Sequence, residues 1–381
     1  SIYESLGKSG ELNYAYCLRD CAFVLESRGQ AGPSREMAER ALTLLQTLGR
    51  NDDVPEVLAL VARNTRASGD FQSAIDTYVK VKDLEIQRYG QYSAEVIETV
   101  LTTARCYRSL EKYSEALEHF KDALVRTNKA ERPNRQHEAE ALLEMAEVRL
   151  EQGGPPKDVE PLCLGSLKVL QTYVGPKEKM LQRIATAVKS AREKLSQPVS
   201  EHEFLWLFTQ NRDKVRDLFR EQPDLVTQKD RTGWGVLQWT LFLGWDDLMR
   251  WVMRNGAQKD GFEATVMSPI HVAASWSKGS SITFMHEAEV TLDVVGPQGW
   301  SPVHFAAYHG RQDCLEQLVA RGCDAKRLDQ SGRSALHLAA EQGQHDSVAY
   351  LLGKELDKDG QESKSGRTPL HLAAAAGPGP G

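Results

Sequence analysis

The stretch GWSPVHFAAYHG at residues 299–310 decides how the second half of the chain folds. Its histidine and aromatic residues could belong to an active site, but most of the pattern returns elsewhere. The other copies are GWGVLQWTLFLG (233–244), VMSPIHVAASW (266–276), GRSALHLAAEQG (332–343) and GRTPLHLAAAAG (366–377). The residue at the Pro302 position recurs at intervals of 33, 33, 33 and 34 residues. Such a fixed period indicates a structural repeat rather than a catalytic cluster.

The copies that begin at Gly299, Gly332 and Gly366 have the residues that begin a short helix after a tight turn. Gly299 allows a positive φ, Ser301 can cap the helix, and Pro302 fits its first position. A second amphipathic helix and a Gly-containing loop lead to the next copy. The pattern resembles the ankyrin repeat, whose TPLHxA signature corresponds here to SPVHFA, SALHLA and TPLHLA. The resemblance covers residues 230–376 and implies stacked helical pairs that bind other proteins.

Four histidines occupy the same place in successive copies: His271, His304, His337 and His371. The ankyrin resemblance implies that each one bonds to backbone and ties neighbouring units, so we expect neither a metal site nor acid–base chemistry. Gln238 stands in their place in the first copy. The last copy has only its first helix, and the sequence lacks an initiator Met. We therefore expect an incomplete last repeat and a fragment of a longer protein.

The first half of the chain repeats with a longer period. GDFQSAIDTYVKV (69–81) aligns with EKYSEALEHFKDAL (111–124) after a shift of 42 residues. Each unit has the pattern of two amphipathic helices, in which small residues allow close approach and an aromatic residue fills the space between them. Such a pair must stack on its neighbours to bury its apolar face.

These units resemble tetratricopeptide repeats, and their period is similar to that of the kinesin light chain variety. The signature positions are Ala104, Tyr107, Ala116, Phe120 and Ala123. The resemblance covers residues 12–196, as four units and a closing helix near 178–196. We predict an all-α fold: an α-solenoid of tetratricopeptide-like helical hairpins in a domain at 1–198, joined to an ankyrin-repeat array at 199–381.

The tetratricopeptide resemblance implies that the first helix of each pair lines a concave groove. Four arginines fall at groove positions: Arg63, Arg66, Arg105 and Arg108. Guanidinium groups repeated in this way can bind the carboxylates of an acidic peptide. They could instead be solvated charges paired with Glu56, Glu98 or Glu140, and the sequence leaves this alternative open.

The ankyrin resemblance also suggests surface positions for a partner. Trp234 and Trp300 follow the turn glycine, a position that is normally exposed. Trp276, His309 and Gln342 share the end of the inner helix, on the concave side. Exposed aromatic side chains are typical binding anchors, so we expect these five residues to contribute to a protein-binding site. The alternative is that neighbouring loops pack over the tryptophans.

Composition narrows the class of protein. The 381 residues carry a net charge of −6, which does not favour nucleic acid as a partner. The sequence has no apolar run long enough to suggest a membrane span, and no signal peptide is recognisable. Six cysteines without a CxxC pair fit a reducing compartment, and we expect a cytoplasmic or nuclear protein. Cys17 and Cys21 lack further ligands at zinc-binding spacing, so we expect them in the core.

The sequence lacks the motifs of common enzymes. There is no HExxH, no phosphate-binding GxxxxGK[ST] and no GxSxG. We therefore expect no catalysis, no cofactor, no metal and no small-molecule substrate. The predicted function is that of a non-enzymatic adaptor or scaffold with two concave repeat surfaces for proteins or peptides. The alternative is the regulatory or substrate-recruiting arm of a larger enzyme, such as a ubiquitin ligase, kinase or helicase.

Overall fold

The computed structural model describes residues 7–130, 133–193, 212–260, 262–263, 265–354, 356–363 and 365–376. These residues form helices, and in them the only β-structure consists of two isolated bridges, Lys229–Gly235 and Leu328–Ser334. The predicted all-α class is confirmed. The chain divides into two compact units, Ser1–Val169 with Ala187–Ser196 and Leu170–Thr186 with Gln197–Gly381. The boundary predicted at 198/199 lies outside the described residues.

Among the described residues up to Val169, the first unit has eight α-helices that pack in chain order. They are α1 Gly7–Ser27, α2 Ala31–Thr47, α3 Val54–Ala67, α4 Phe71–Tyr89, α5 Ala94–Ser109, α6 Tyr113–Lys129, α7 Arg135–Glu151 and α8 Pro156–Val169. Each helix contacts the next along the chain. The unit is therefore an array of helical hairpins, as the 42-residue period predicts.

The small and aromatic residues of the repeat pattern form the core of this array. Ala104, Ala116, Phe120 and Ala123 are buried, and Tyr107 packs against them from a partly buried position. The alanines leave room between helices that the Phe120 ring fills. Dense packing of this kind stabilises the hairpin through the apolar area that it removes from water.

In chain order, two further helices follow α8 and precede the ankyrin-like copies: Glu178–Glu193 and Arg212–Glu221. The first confirms the closing helix expected near 178–196, as far as the described residues reach. Before it, Leu170–Val174 forms a short π-helix, and Gly175 follows with a φ of 90°. This π-helical segment belongs to the second compact unit.

The five copies of the 33-residue pattern form the rest of the second unit. Their inner helices are Val236–Phe242, Pro269–Trp276, Pro302–Tyr308, Ala335–Glu341 and Pro369–Ala376. The outer helices of the first four repeats are Asp246–Arg254, Gly279–Glu287, Gln312–Ala320 and His345–Leu352. Successive inner helices contact one another, and from the second repeat to the fourth the outer helices do too.

Four of the five turns before the inner helices contain a glycine with positive φ, and the second repeat has Val266 at that position. Gly299 has a φ of 76°, a conformation that L-residues with a side chain adopt at a cost. A Cβ at Gly299 would also lie 2.9 Å from the backbone nitrogen of Gln330 in the next loop. Glycine therefore serves both the turn and the close approach of consecutive loops.

Candidate functional site

Three of the four groove arginines are neutralised within the first unit. The Arg63 Nε lies 2.8 Å from the Glu26 Oε1. The Arg105 Nε lies 3.0 Å from the Glu144 Oε1, in a helix of the next hairpin. Arg108 reaches that same helix, with its Nη1 2.8 Å from the Glu147 Oε2. These side chains pair across neighbouring repeats, so the groove is not a continuous basic strip.

The network around Arg105 also includes the carboxylates of Glu98 and Glu140, at 3.4 and 3.3 Å. Both were among the partners that the sequence left open. Burial lowers the pKa of Arg105, but Glu144 and Glu98 outweigh burial and raise it overall. The guanidinium is held by carboxylates of its own unit.

Arg66 differs from the other three arginines. It makes no ion pair with any described residue, and its buried Nε has no hydrogen-bond partner among them. The hydroxyl of Tyr78 is also buried without a partner in the described part of the chain. Burial raises the pKa of Tyr78 to about 12, and the nearby Arg66 charge opposes that shift. Of the four predicted groove arginines, Arg66 alone has no carboxylate partner among the described residues, and it lies beside Tyr78.

Trp234 and Trp300 are not exposed, and the expectation that they lie on an open finger surface is wrong. Their exposed fractions are 3% and 2%. The Trp300 indole donates from Nε1 to the Asp329 carboxylate of the next loop at 3.0 Å, and its ring lies 5.0 Å from that of Phe305. The Trp300 ring packs against Phe305, and its N–H has a hydrogen-bond partner. Trp300 is therefore a packing residue of the repeat.

Trp234 is buried for a related reason. Its ring meets those of Trp239 and Phe242 edge-to-face, with both centroid distances at 5.5 Å. The Asp230 carboxylate accepts a bond from the Trp234 backbone at 3.0 Å and from the Trp239 indole at 2.8 Å. This aromatic cluster forms the core of the first ankyrin-like copy.

Three of the four repeated histidines tie consecutive repeats, as predicted, whereas His371 is exposed and, among the described residues, bonds only Thr368 of its own turn. The His304 Nδ1 lies 3.2 Å from the Ser301 backbone nitrogen, and its Nε2 lies 3.2 Å from the Arg333 carbonyl oxygen. A backbone N–H can only donate, so Nδ1 accepts and the ring proton resides on Nε2. His271 and His337 also reach carbonyl oxygens of the following loop, those of Val294 and Gly360, which lie earlier in the repeat than Arg333.

A hydroxyl accompanies each of these rings, which gives the superficial appearance of a nucleophile and its base. The Ser301 Oγ lies 2.9 Å from the His304 Nδ1. Ser301 is fully buried at the start of the helix, and both ring nitrogens already have backbone partners. A substrate cannot reach this hydroxyl, so the pair serves the fold.

Trp276 and His309 contact a segment of the same unit that the repeat pattern did not reveal. The Trp276 Nε1 donates to the Gln171 carbonyl oxygen at 3.1 Å. The His309 Nε2 lies 3.1 Å from the Thr172 carbonyl oxygen. The two rings also contact each other, with centroids 4.0 Å apart. The two residues share a location, as predicted, but the π-helical segment covers it.

Gln342, the third member of the predicted inner-helix set, is exposed. The structure thus brings Trp276 and His309 together and leaves Gln342 apart from the covering segment. Tyr173 and Gly175, which complete that segment, have no periodic counterpart in the repeats. The only signal in the sequence is the interruption of the helical pattern at Gly175 and Pro176.

The cysteines and the membrane question can be answered for the described residues. Cys17 and Cys21 are exposed, so their expected place in the core is wrong. The apolar face of α1 is formed by Ala15, Leu18 and Ala22, and the two cysteines fall beside it.

Within the described ranges, no group of three or more His, Cys, Asp or Glu residues could hold a metal ion. No described helix is long and apolar enough to cross a membrane.

Comparison with known families agrees with the geometry of the second unit. The family model for ankyrin repeats (3 copies) matches residues 270–362 and 303–379. The match begins in the inner helix of the second repeat and runs past the last described helix. It includes the histidine bonds between repeats and the turn at Gly299. The C-terminal part of this chain, residues 270–379, therefore consists of ankyrin repeats.

Proposed function

We propose that the protein is a non-enzymatic adaptor that binds other proteins through its two helical repeat arrays. The observation that carries this proposal is the ankyrin array at 270–379. Ankyrin repeats imply protein–protein interaction, and each array buries the residues of its repeat pattern in packing while leaving the other side chains for recognition.

The first array is, in this proposal, of the tetratricopeptide kind. Its support is the burial of the signature residues Ala104, Phe120 and Ala123 between helices of consecutive hairpins. A groove of this kind takes an extended or helical peptide. The domain division at residue 198 is part of the same proposal.

Within that groove, we assign the acidic-peptide contact to Arg66. Arg63, Arg105 and Arg108 already bond carboxylates of the unit, whereas Arg66 has no ion pair with any described residue. The Tyr78 hydroxyl near Arg66 is buried, so the contact with a peptide carboxylate falls to the guanidinium, which binds carboxylates through charge-assisted hydrogen bonds.

The test uses the full chain and a library of twelve-residue peptides in matched acidic and amide forms. We expect Arg66→Glu to abolish retention of acidic peptides. The substitution replaces the guanidinium by a carboxylate, which repels the carboxylates of the peptide. Lys80→Glu is the matched control, because Lys80 is exposed on α4 and the charge change is the same. Equal retention by the wild type, Arg66→Glu and Lys80→Glu would show that Arg66 does not bind the acidic peptides.

The non-enzymatic part of the proposal has its own test. The purified chain should show no esterase, phosphatase or nucleotidase turnover. Ser301→Ala serves as the diagnostic variant, because Ser301 has the closest approach to a nucleophile–base pair in the third repeat. Reproducible turnover in the wild type that disappears in Ser301→Ala would overturn the assignment.

A further inference from the structure

The loops before the five inner helices place one residue of each repeat at the same position. This position lies seven residues before the inner helix begins, and we name its occupants the loop row: Lys229, Phe262, Val295, Leu328 and Glu362. A contact joins each loop to the next: Lys229 with Phe262, Asp260 with Thr291, Asp293 with Arg327, and Ser331 with Ser363. The loops therefore lie side by side, and the loop row crosses all five repeats.

The middle of the loop row is apolar and open to solvent. Leu328 is 58% exposed and Val295 is 44% exposed. Phe262 is half-buried, with the Lys229 ammonium 4.7 Å from the centroid of its ring. Single exposed apolar side chains are ordinary on a protein surface, but these three are equivalent residues of successive repeats. They form an apolar strip that is one side chain wide and already accessible.

Opposite charges stand at the two ends of the loop row. Lys229 is exposed in the first repeat. Glu362 is partly exposed in the fifth, where one carboxylate oxygen accepts a hydrogen bond from the Ser365 hydroxyl. Between them, the Arg327 Nη2 lies 2.8 Å from the Asp293 Oδ2, so this pair adds no net charge to the middle of the row. A ligand that crosses the whole row therefore meets a cation at one end and an anion at the other.

The spacing of the repeats selects an extended chain as the ligand. Consecutive inner helices contact each other, and packed helices lie about 8–10 Å apart, so we expect a similar spacing along the loop row. A polyproline II segment has three residues per turn and rises about 3.1 Å per residue, which places every third side chain on one face about 9 Å apart. An α-helix is about 10–12 Å across with its side chains, and a strip one side chain wide gives it no groove.

We propose that the loop row binds an extended polyproline II segment of a partner protein that has an apolar residue at every third position. Three apolar residues of the segment contact Phe262, Val295 and Leu328. An acidic residue of the segment lies at the Lys229 end, and a basic residue lies at the Glu362 end. The inference names the partner class of the ankyrin array and so rests on the proposed adaptor function.

The probe is the fluorescein-labelled peptide ESPLSPLSPLSPK, in which leucine recurs at every third position and proline favours the polyproline II conformation. The peptide KSPLSPLSPLSPE carries the end charges in reverse order, so one of the two fits whichever way the segment runs. The control ELSLPSPSLPSPK has the composition of the first peptide without its spacing. In polarisation titrations with the full chain, we expect the better of the first two peptides to bind about tenfold more tightly than the control.

Substitutions in the loop row locate the site. Leu328→Ser and Val295→Ser should each weaken binding of the better peptide about tenfold, because each removes an apolar contact. Both side chains are exposed, so the variants should fold as the wild type does. Leu352→Ser is the matched control and should bind as the wild type does. Leu352 is 46% exposed, but it lies at the end of an outer helix.

Reversal of one charge tests the ends of the loop row. Lys229→Glu should weaken binding of the better peptide about threefold at low ionic strength. The peptide KSPLSPLSPLSPK, which has lysine at both ends, should bind Lys229→Glu more tightly than it binds the wild type. Equal binding of this peptide by the two chains would overturn the assignment of the charged ends.

Three results would overturn the inference as a whole. They are no binding of either spaced peptide, equal binding of the spaced peptides and ELSLPSPSLPSPK, or affinities of Leu328→Ser and Val295→Ser that match that of Leu352→Ser. The retention of acidic peptides at Arg66 is measured with other variants in the first unit. Failure of the loop row therefore leaves that result standing, and the two proposals fail separately.

Discussion

Gln238 in the first repeat bonds the same kinds of backbone group as His271 in the second: the amide before its own helix and a carbonyl of the following loop. The Gln238 Oε1 accepts from the Gly235 backbone at 2.9 Å, and its Nε2 donates to the Met267 carbonyl at 3.3 Å. An amide therefore replaces the imidazole in this fold without the loss of either bond. The two side chains differ in that only the histidine can take up a proton.

This relationship gives a prediction for the pH dependence of stability. Burial lowers the pKa of His271 to about 4, from 6.5. Between these values the unfolded chain binds the proton and the folded chain does not, so the free energy of unfolding falls as the pH falls. We expect His271→Gln to remove a slope of about 1 kcal/mol per pH unit in this window, as measured by urea unfolding. The contribution of His271 is complete above the unfolded pKa.

The control for that experiment is His371→Gln in the last inner helix. The His371 ring is exposed and bonds to Thr368 of its own turn. We expect this variant to leave the pH dependence of the wild type unchanged. Identical slopes for the wild type and His271→Gln would show that the buried ring does not couple folding to protonation.

Trp300 should act as a core residue in stability measurements. Trp300→Ala removes a buried indole and its bond to Asp329, and we expect a loss of about 3–5 kcal/mol in the free energy of unfolding. Trp300→Phe keeps most of the ring contacts and should cost about 1–2 kcal/mol. Leu370→Ala is the control, since Leu370 is 75% exposed. Denaturant unfolding measures all three, and a neutral Trp300→Ala would contradict the packing role.

The ion pairs of the first unit should differ in their coupling free energies. The Arg105 and Glu144 side chains are 28% and 8% exposed, against 39% and 29% for Arg63 and Glu26. We expect a double-mutant cycle with Gln at both positions to give about 1–2 kcal/mol for the first pair. The more solvated second pair should give less than about 1 kcal/mol. A larger coupling for the second pair would contradict this order.

The six cysteines should react in two groups. Cys17 and Cys21 are exposed, whereas Cys106, Cys163, Cys314 and Cys323 are buried. Burial raises the pKa of the Cys163 and Cys314 thiols to about 12, which suppresses the reactive thiolate. We expect rapid modification of two thiols by a disulfide reagent in the native protein and of the other four only on unfolding. Mass spectrometry of the labelled peptides would identify any exception.

The repeat positions could be predicted from the sequence because they follow a period. The helix start at Pro302, the turn at Gly299 and the histidine bond between repeats each depend on a local pattern that recurs every 33 residues. The same holds for the burial of Ala104 and Phe120 in the first unit. Local sequence encodes these features, so a feature predicted in one repeat is expected at the same position of the repeats that share its pattern.

The surface could not be predicted as well, because it depends on contacts between residues far apart in the chain. Trp300 is buried because Asp329 lies 29 residues later in the next loop and accepts its N–H. Similarly, His309 meets a carbonyl 137 residues earlier. The π-helical segment Leu170–Val174 has no period, and the partners of the predicted groove arginines depend on which carboxylates the neighbouring hairpin presents.

The histidine bonds between consecutive ankyrin repeats make the cooperativity of unfolding depend on position. His271 joins the second repeat to the third, His304 the third to the fourth, and His337 the fourth to the fifth. Loss of the central tie would weaken the coupling between the two parts of the array, although the packing of consecutive inner helices remains. Loss of the last tie would only allow one end to fray. The loss of one histidine bond should therefore reduce the cooperativity of unfolding more in the middle of the array than at its end.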